Sequence, residues 1–220
     1  MKDEDIQLNK DIITVPLLYI VLIWFIYWIE IYFGFNFNSY GVFPRALDGI
    51  PGIFFTHVIH SDTNHLINNS IPLFVLTSSL FLFYKDIAWK VLMYGAILTG
   101  FLTWMIARPA YHIGASGVVY LLFSFISFSG IIRKHYRLVA IAMVIIFLYG
   151  SMVWYILPIK EGMSWEGHLS GFLIGLTMAF TFKSKGLVKK EYEFSKTEFD
   201  DYFDEEGNLK ENLNPETLED

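Results

Sequence analysis

Residues 113–132 read Ile-Gly-Ala-Ser-Gly-Val-Val-Tyr-Leu-Leu-Phe-Ser-Phe-Ile-Ser-Phe-Ser-Gly-Ile-Ile, without one charged side chain. A helix rises about 1.5 Å per residue, so a stretch of this length matches a hydrocarbon core roughly 30 Å thick. Five more stretches flank it: 12–33, 65–83, 89–106, 138–157 and 162–182, the last opening on polar residues and turning apolar after His168. The first is too long and aromatic for a cleavable signal peptide, and no small-residue cleavage site follows it. The expected fold is an all-α polytopic membrane protein. It divides into an N-terminus over 1–11, a six-helix membrane domain over 12–182, and a charged tail over 183–220.

The rest of the chain agrees with this reading. Of 220 residues, 54% are hydrophobic and 18% aromatic, and mean hydropathy is +0.44. Charged residues make up 17%, against roughly 25% in soluble domains. That much apolar surface cannot be hidden in one water-soluble core, which argues against a soluble enzyme, a disordered chain or a secreted disulfide scaffold. No cysteine is present, so thiol catalysis, Cys-zinc sites and disulfides are excluded.

The net charge of −6 is unevenly spread: residues 191–220 hold twelve acids and two lysines, leaving ten acids and fourteen bases in the body. The tail is therefore acidic and is expected to be flexible with one short helix. The body is mildly basic but has no concentrated basic face, so nucleic acid is not an expected partner. With the N-terminus inside, eleven Lys and Arg fall on the cytosolic side and only Arg45, Arg108 and Lys160 outside, which puts both termini in the cytosol. Residues 34–64 are too long for a simple connector and mix Pro and Gly with many aromatic rings, which suggests a loop packed in the membrane interface rather than an ordinary ectoloop.

Strongly polar groups are costly in lipid, so each one inside a span is a functional hypothesis. The second span opens with His65 and Asn69, the fourth with Gly114-Ala-Ser116-Gly117, and the sixth with His168, Gly171 and Gly175. These three spans all run from outside to inside, so the three polar sets lie at one depth near the outer third. A serine hydroxyl becomes a nucleophile when a base removes its proton, and neutral histidine suits that role. At a helix start, Ser116 also has free backbone N–H groups and a positive dipole end nearby. The Gly171-xxx-Gly175 spacing permits close helix contact and could bring His168 to Ser116. His65 and Asn69 share a helix face and offer donors to an oxyanion.

Bland readings exist for each feature. Gly-x-Ser-Gly alone is often a packing motif in membrane helices, and a lone intramembrane histidine is as often a structural hydrogen-bonding group. Their conjunction at one depth favours catalysis. No buried acid obviously completes a triad: Glu161 and Glu166 read as interfacial loop residues, so a Ser-His dyad is the economical assignment. His57, His60 and His65 with Asp62 could be a zinc site, but the ligand spacing is wrong and no HExxH occurs, so neither a metal nor any other cofactor is expected. His112 and His135 read as loop and cytosolic residues, Pro72 as a tolerated kink, and Glu30 as a snorkelling or paired group. A channel or transporter would predict charged or broken helices at mid-membrane, and none is seen.

His65-x-x-x-Asn69, Gly114-Ala-Ser116-Gly117 and Gly167-His168-x-x-Gly171-x-x-x-Gly175 together resemble the signature of rhomboid intramembrane serine proteases. The resemblance spans about 34–182. It implies a rhomboid-like bundle of six helices, Ser116 as nucleophile and His168 as general base. It also implies Tyr120 stacked on that histidine, and an oxyanion hole from His65, Asn69 and the Ser116 backbone. The substrates implied are membrane-anchored proteins cut in or near a transmembrane segment. Residues 138–157 and 158–167 correspond to the family's gate and cap, and His60 to a further family histidine. The Trp-Arg pair common in the family's first loop is absent, the stretch here reading Gly-Ile-Pro-Gly-Ile-Phe-Phe over 49–55. Inactive relatives that bind membrane proteins lack the serine or histidine, and both are present here. Composition and size suggest a bacterial inner-membrane protein.

Overall fold

The computed structural model describes residues 8–187 and 197–210. Expectations for residues 1–7, 188–196 and 211–220, including most of the flexible tail, lie outside the described residues. Within the described residues the chain is helical, with only two isolated β-bridges. They form two compact units, divided between Lys189 and Lys190.

The described residues of the first unit form seven α-helices: α1 (Asp11–Phe33), α2 (Gly52–Phe55), α3 (Thr63–Phe83), α4 (Ala88–Ile106), α5 (Ser116–Arg133), α6 (Tyr136–Tyr149) and α7 (Trp165–Thr181). Five are long and apolar enough to cross a membrane, counting α6 with the 3-10 turn that extends it to Ile156. The remaining long helix, α7, has 17 residues.

The order of burial gives the architecture. Of the 18 residues of α5, 14 are buried, whereas α1 buries only Pro16 and Ile23, and the extended α6 only Leu138, Ala142 and Ile145. Helix α5 is therefore the central post, packed by α3, α4, α6 and α7. The outer helices expose large apolar side chains that a soluble protein would cover, such as Leu18 and Phe25 on α1 and Met143 and Phe147 on α6. α1 is fastened to α3 by polar contacts between Trp24 Nε1 and Ser70 Oγ at 3.0 Å and between the Tyr27 and Thr63 hydroxyls at 3.0 Å.

Local chemistry sets the helix ends. Gly34, at φ +67°, ends α1 and returns its N–H to the Glu30 carbonyl. Glu30 itself pairs rather than snorkels, accepting the Phe37 N–H at 2.7 Å. Asp62 caps α3, accepting the His65 N–H at 2.9 Å. Pro72 lies inside α3 without breaking it. At the far end of α5, Arg133 Nη2 donates to the Phe182 carbonyl at 2.8 Å and Nη1 to that of Lys185, tying α5 to the end of α7.

The segment between α1 and α3 folds into short turns around α2. It pairs with the α4–α5 connection through the bridge between Val42 and His112. Where the family Trp-Arg pair is missing, another pairing anchors the loop. Arg45 Nη1 donates to the carbonyls of Met105 and Ala107 at 3.2 and 2.9 Å, and Trp104 Nε1 donates to the Ala46 carbonyl at 3.0 Å. Phe35, Tyr40, Phe54 and Phe55 in this segment remain more than half exposed.

In the second unit, Glu198–Tyr202 form a short 3-10 helix started by a reciprocal Thr197–Asp200 cap. Phe203 and Leu209 then bridge around Gly207 at φ +82°.

Candidate active site

Ser116 is the first residue of α5, so its N–H is among those with no acceptor inside the helix. The turn before it depends on Gly114, held at φ +112° with its N–H bonded to the Thr56 carbonyl at 2.9 Å. A Cβ at Gly114 would be strained and would come within 2.5 Å of His65 Nε2 and 3.7 Å of Asn69 Nδ2. The glycine thus marks the point where His65 and Asn69 of α3 meet the chain entering α5. His60 supports the same turn, its Nε2 accepting the Ala115 N–H at 3.4 Å. Its ring also packs edge-on against His65, with centroids 5.0 Å apart.

His168 lies in the first turn of α7, with Nε2 3.0 Å from Ser116 Oγ. Its Nδ1 is 2.9 Å from the Tyr155 carbonyl. A carbonyl can only accept, so Nδ1 carries the proton and the Nε2 lone pair faces the serine. The tautomer a general base would need is therefore set by backbone, in the position where Ser-His-Asp hydrolases use a carboxylate. Tyr120, one turn after Ser116, stacks on His168 at a centroid distance of 4.3 Å and an interplanar angle of 11°. Its hydroxyl donates to the Met152 carbonyl at 2.8 Å. The 3-10 turn after α6 thus orients both stacked rings.

The approach of α7 to α5 follows from glycines. A Cβ at Gly171 would strike the Gly117 carbonyl, and one at Gly175 would strike the Leu121 carbonyl. Gly117 itself faces α4, where a Cβ would come within 3.0 Å of Thr99 Cγ2. Backbone-to-backbone contact of this kind is the use of small residues in membrane helix pairs.

Asn69 is buried, one amide hydrogen going to the His65 carbonyl at 3.1 Å. Ser61 Oγ donates to Asp62 Oδ2 at 2.7 Å and lies 3.2 Å from His65 Nδ1. Next to Ser116 is a polar cavity of about 20 Å³, room for one water, lined also by Thr56, His57, Thr99 and His112. His57 Nδ1 and Thr99 Oγ1 are buried without a hydrogen-bond partner.

Of the residues in the alternative zinc reading, His60 and His65 stay together, but His57 bonds the Ala96 carbonyl through Nε2 at 2.9 Å and Asp62 is a helix cap. Among the described residues, no three His, Asp or Glu side chains are arranged to hold a metal ion.

Glu166 departs from its sequence reading: it is not an interfacial loop residue but a buried one in α7, paired with Arg108 at 3.2 Å. His112 lies in a loop, as read, and is buried there, its Nδ1 2.6 Å from Ser164 Oγ and its Nε2 3.0 Å from the Arg108 carbonyl. Burial holds its imidazole below the ordinary histidine range. Nothing local in sequence gives these partners away, since Arg108 and Glu166 are 58 residues apart.

The family described as "Rhomboid domain" matches residues 50–185 of this chain. Proteins of Mycobacterium bovis and Mycobacterium tuberculosis, described only as uncharacterized, are each 32% identical to it over 184 residues, covering 76% of this chain and 73% of theirs. One from Mycobacterium leprae, likewise uncharacterized, is 29% identical over 160 residues, covering 65% of this chain and 60% of its own. The family match runs through the segment that carries Ser116 and His168, and five helices are fit to cross a membrane, so this chain is an integral membrane protein of the rhomboid family.

Proposed function

We propose that the protein is an intramembrane serine endopeptidase that cleaves membrane-anchored proteins in or near a transmembrane segment, using Ser116 and His168 as a dyad. The observation that carries this reading is the 3.0 Å contact between Ser116 Oγ and the His168 nitrogen whose partner, Nδ1, is committed to the Tyr155 carbonyl. In this proposal Oγ attacks the scissile carbonyl carbon and its proton passes to His168 Nε2. The tetrahedral oxyanion is met by the Ser116 N–H, the second amide hydrogen of Asn69 and His65 Nε2–H, the last requiring that the Ser61 proton, directed to Asp62 in the structure, turn to His65 Nδ1. His168 then protonates the leaving amine. A water, for which the polar cavity beside Ser116 offers room, resolves the acyl-enzyme with His168 again as base.

The same proposal makes α7 the sixth span, beginning where its polar first turn enters the site. It sets residues 1–11 and 183–220 on the cytosolic side of a bacterial inner membrane, with 12–182 as the membrane domain. Gly114, Gly117, Gly171 and Gly175 shape the backbone around the dyad, and Tyr120 supports His168. The chemistry is assigned to protein side chains alone, with no metal or other cofactor.

Cleavage of a panel of single-span membrane proteins in liposomes tests the proposal. The wild type should cleave in the presence of chelator, and folded Ser116→Ala should not. Failure of the folded wild type across a broad panel would favour a catalytically inactive, membrane-protein-binding role. Chelator-sensitive cleavage that survives Ser116→Ala would move the chemistry away from the dyad.

A further inference from the structure

Arg108 and Glu166 have no part in the chemistry just described, yet the Glu166 carboxylate is buried almost completely, its side chain 3% exposed against 43% for Arg108. A carboxylate so withdrawn from water persists only when paired and hydrogen-bonded. Arg108 Nη1 meets its two oxygens at 3.2 and 3.3 Å, and the Arg108 backbone N–H donates to Oε1 at 3.3 Å. Arg108 Nη2 donates to the Met163 carbonyl at 2.7 Å. His112 closes the group, receiving the Ser164 hydroxyl proton on Nδ1 and donating from Nε2 to the Arg108 carbonyl.

The two segments joined here are those that deliver the reacting atoms. The stretch from Arg108 to His112 runs directly into Gly114 and Ser116, and Ser164 and Glu166 lead directly into His168. The dyad itself is one hydrogen bond between separate helices. Beyond it, α5 and α7 are held by close contact at Gly171 and Gly175, by Ser124 Oγ donating to the Phe172 carbonyl at 2.8 Å, and at their far end by Arg133. All of these ties lie on the far side of the dyad and leave the segments that lead into Ser116 and His168 unsecured to each other. The Arg108–Glu166 pair is a tether before the dyad, on the side where those segments enter.

We infer that Arg108, Glu166 and His112 form a positioning clasp that sets the distance and angle between Ser116 Oγ and His168 Nε2. The inference rests on the protease reading above. Misplacement of reacting groups by about 1 Å can lower a rate ~100-fold, so such a tether is kinetically significant.

The test uses the full chain in liposomes. Glu166→Gln is the informative variant: it keeps the side-chain shape and an acceptor for Arg108, and leaves behind a cation already open to water. Arg108→Gln instead strands a buried carboxylate and should lower stability, which the double variant with Glu166→Gln should relieve. Folded Glu166→Gln should lose ~10- to 100-fold in kcat and in the rate of Ser116 labelling by a fluorophosphonate, with KM unchanged, because a charge-assisted bond is replaced by a weaker one. Its His168 ring nitrogens, assigned in 15N spectra with His168→Gln, should shift from their wild-type positions. A folded Glu166→Gln with wild-type kcat, labelling and ring signals would overturn the clasp. So would a raised KM at unchanged kcat, which would make the pair a substrate contact. If the wild type neither cleaves nor labels while Glu166→Gln still moves the His168 signals, the protease reading fails and the clasp stands.

Discussion

At the scale of single residues, the site is built from groups with little freedom to be otherwise. Gly114 is required twice, by its positive φ and by the His65 ring where a Cβ would sit. His168 is fixed by three neighbours: a carbonyl on one nitrogen, a hydroxyl on the other and a tyrosine on its face. Asn69 has one amide hydrogen satisfied within α3, and in the proposed mechanism the other serves the oxyanion. Asn69→Ala should therefore lower kcat by ~10- to 1000-fold while leaving the fold intact, since other oxyanion donors remain. Steady-state cleavage in liposomes reads this directly, and an unchanged rate would remove Asn69 from the site.

Among the elements, the α5–α7 pair decides whether the proposed dyad can form. Neither helix carries both Ser116 and His168, and their approach is limited by backbone rather than side chains. Gly171→Val would drive two methyl groups toward the Gly117 carbonyl. Overpacking usually costs ~1–3 kcal/mol, and here the obstacle is main chain, which cannot rotate away. The expected result is a lower thermal unfolding midpoint together with lost serine labelling. Retention of both would mean that α5 and α7 tolerate a wider spacing than their glycines suggest. The turn after α6 plays a different part: it lends carbonyls to His168 and Tyr120 from a helix that is otherwise barely buried.

For the whole molecule, the testable quantity is topology. Helix α7 has 17 residues and a polar first turn, so its span is the one that composition supports least. The chain lacks cysteine, so single cysteines can report on each side without background labelling. Asn36→Cys, in the segment after α1, should react with a membrane-impermeant maleimide added to intact cells. Ser184→Cys, just past α7, should react only after permeabilisation. Equal labelling of both from outside would mean that α7 does not cross.

Much of this arrangement is legible in the sequence because it depends on local composition. Apolar runs mark the long helices wherever the chain meets lipid, and α1 and α3 begin and end within two residues of where those runs do. His65, Asn69, Ser116 and His168 stand out because polar groups are scarce in such runs, and the charge asymmetry leads to the expectation that they share one depth. Tertiary structure alone decides what depends on distant partners. Glu166 looks like a solvated loop acid until Arg108, 58 residues away, folds over it. The Tyr155 carbonyl that fixes the His168 tautomer is a backbone atom with no residue signature at all. Arg45 and Trp104 take over the anchoring of the first loop from positions no motif marks. Hydrophobic patterning is a property of neighbours along the chain, so the sequence by itself sets the spans. Pairing of buried charges and carbonyls is a property of neighbours in space, and only the packed helices decide it.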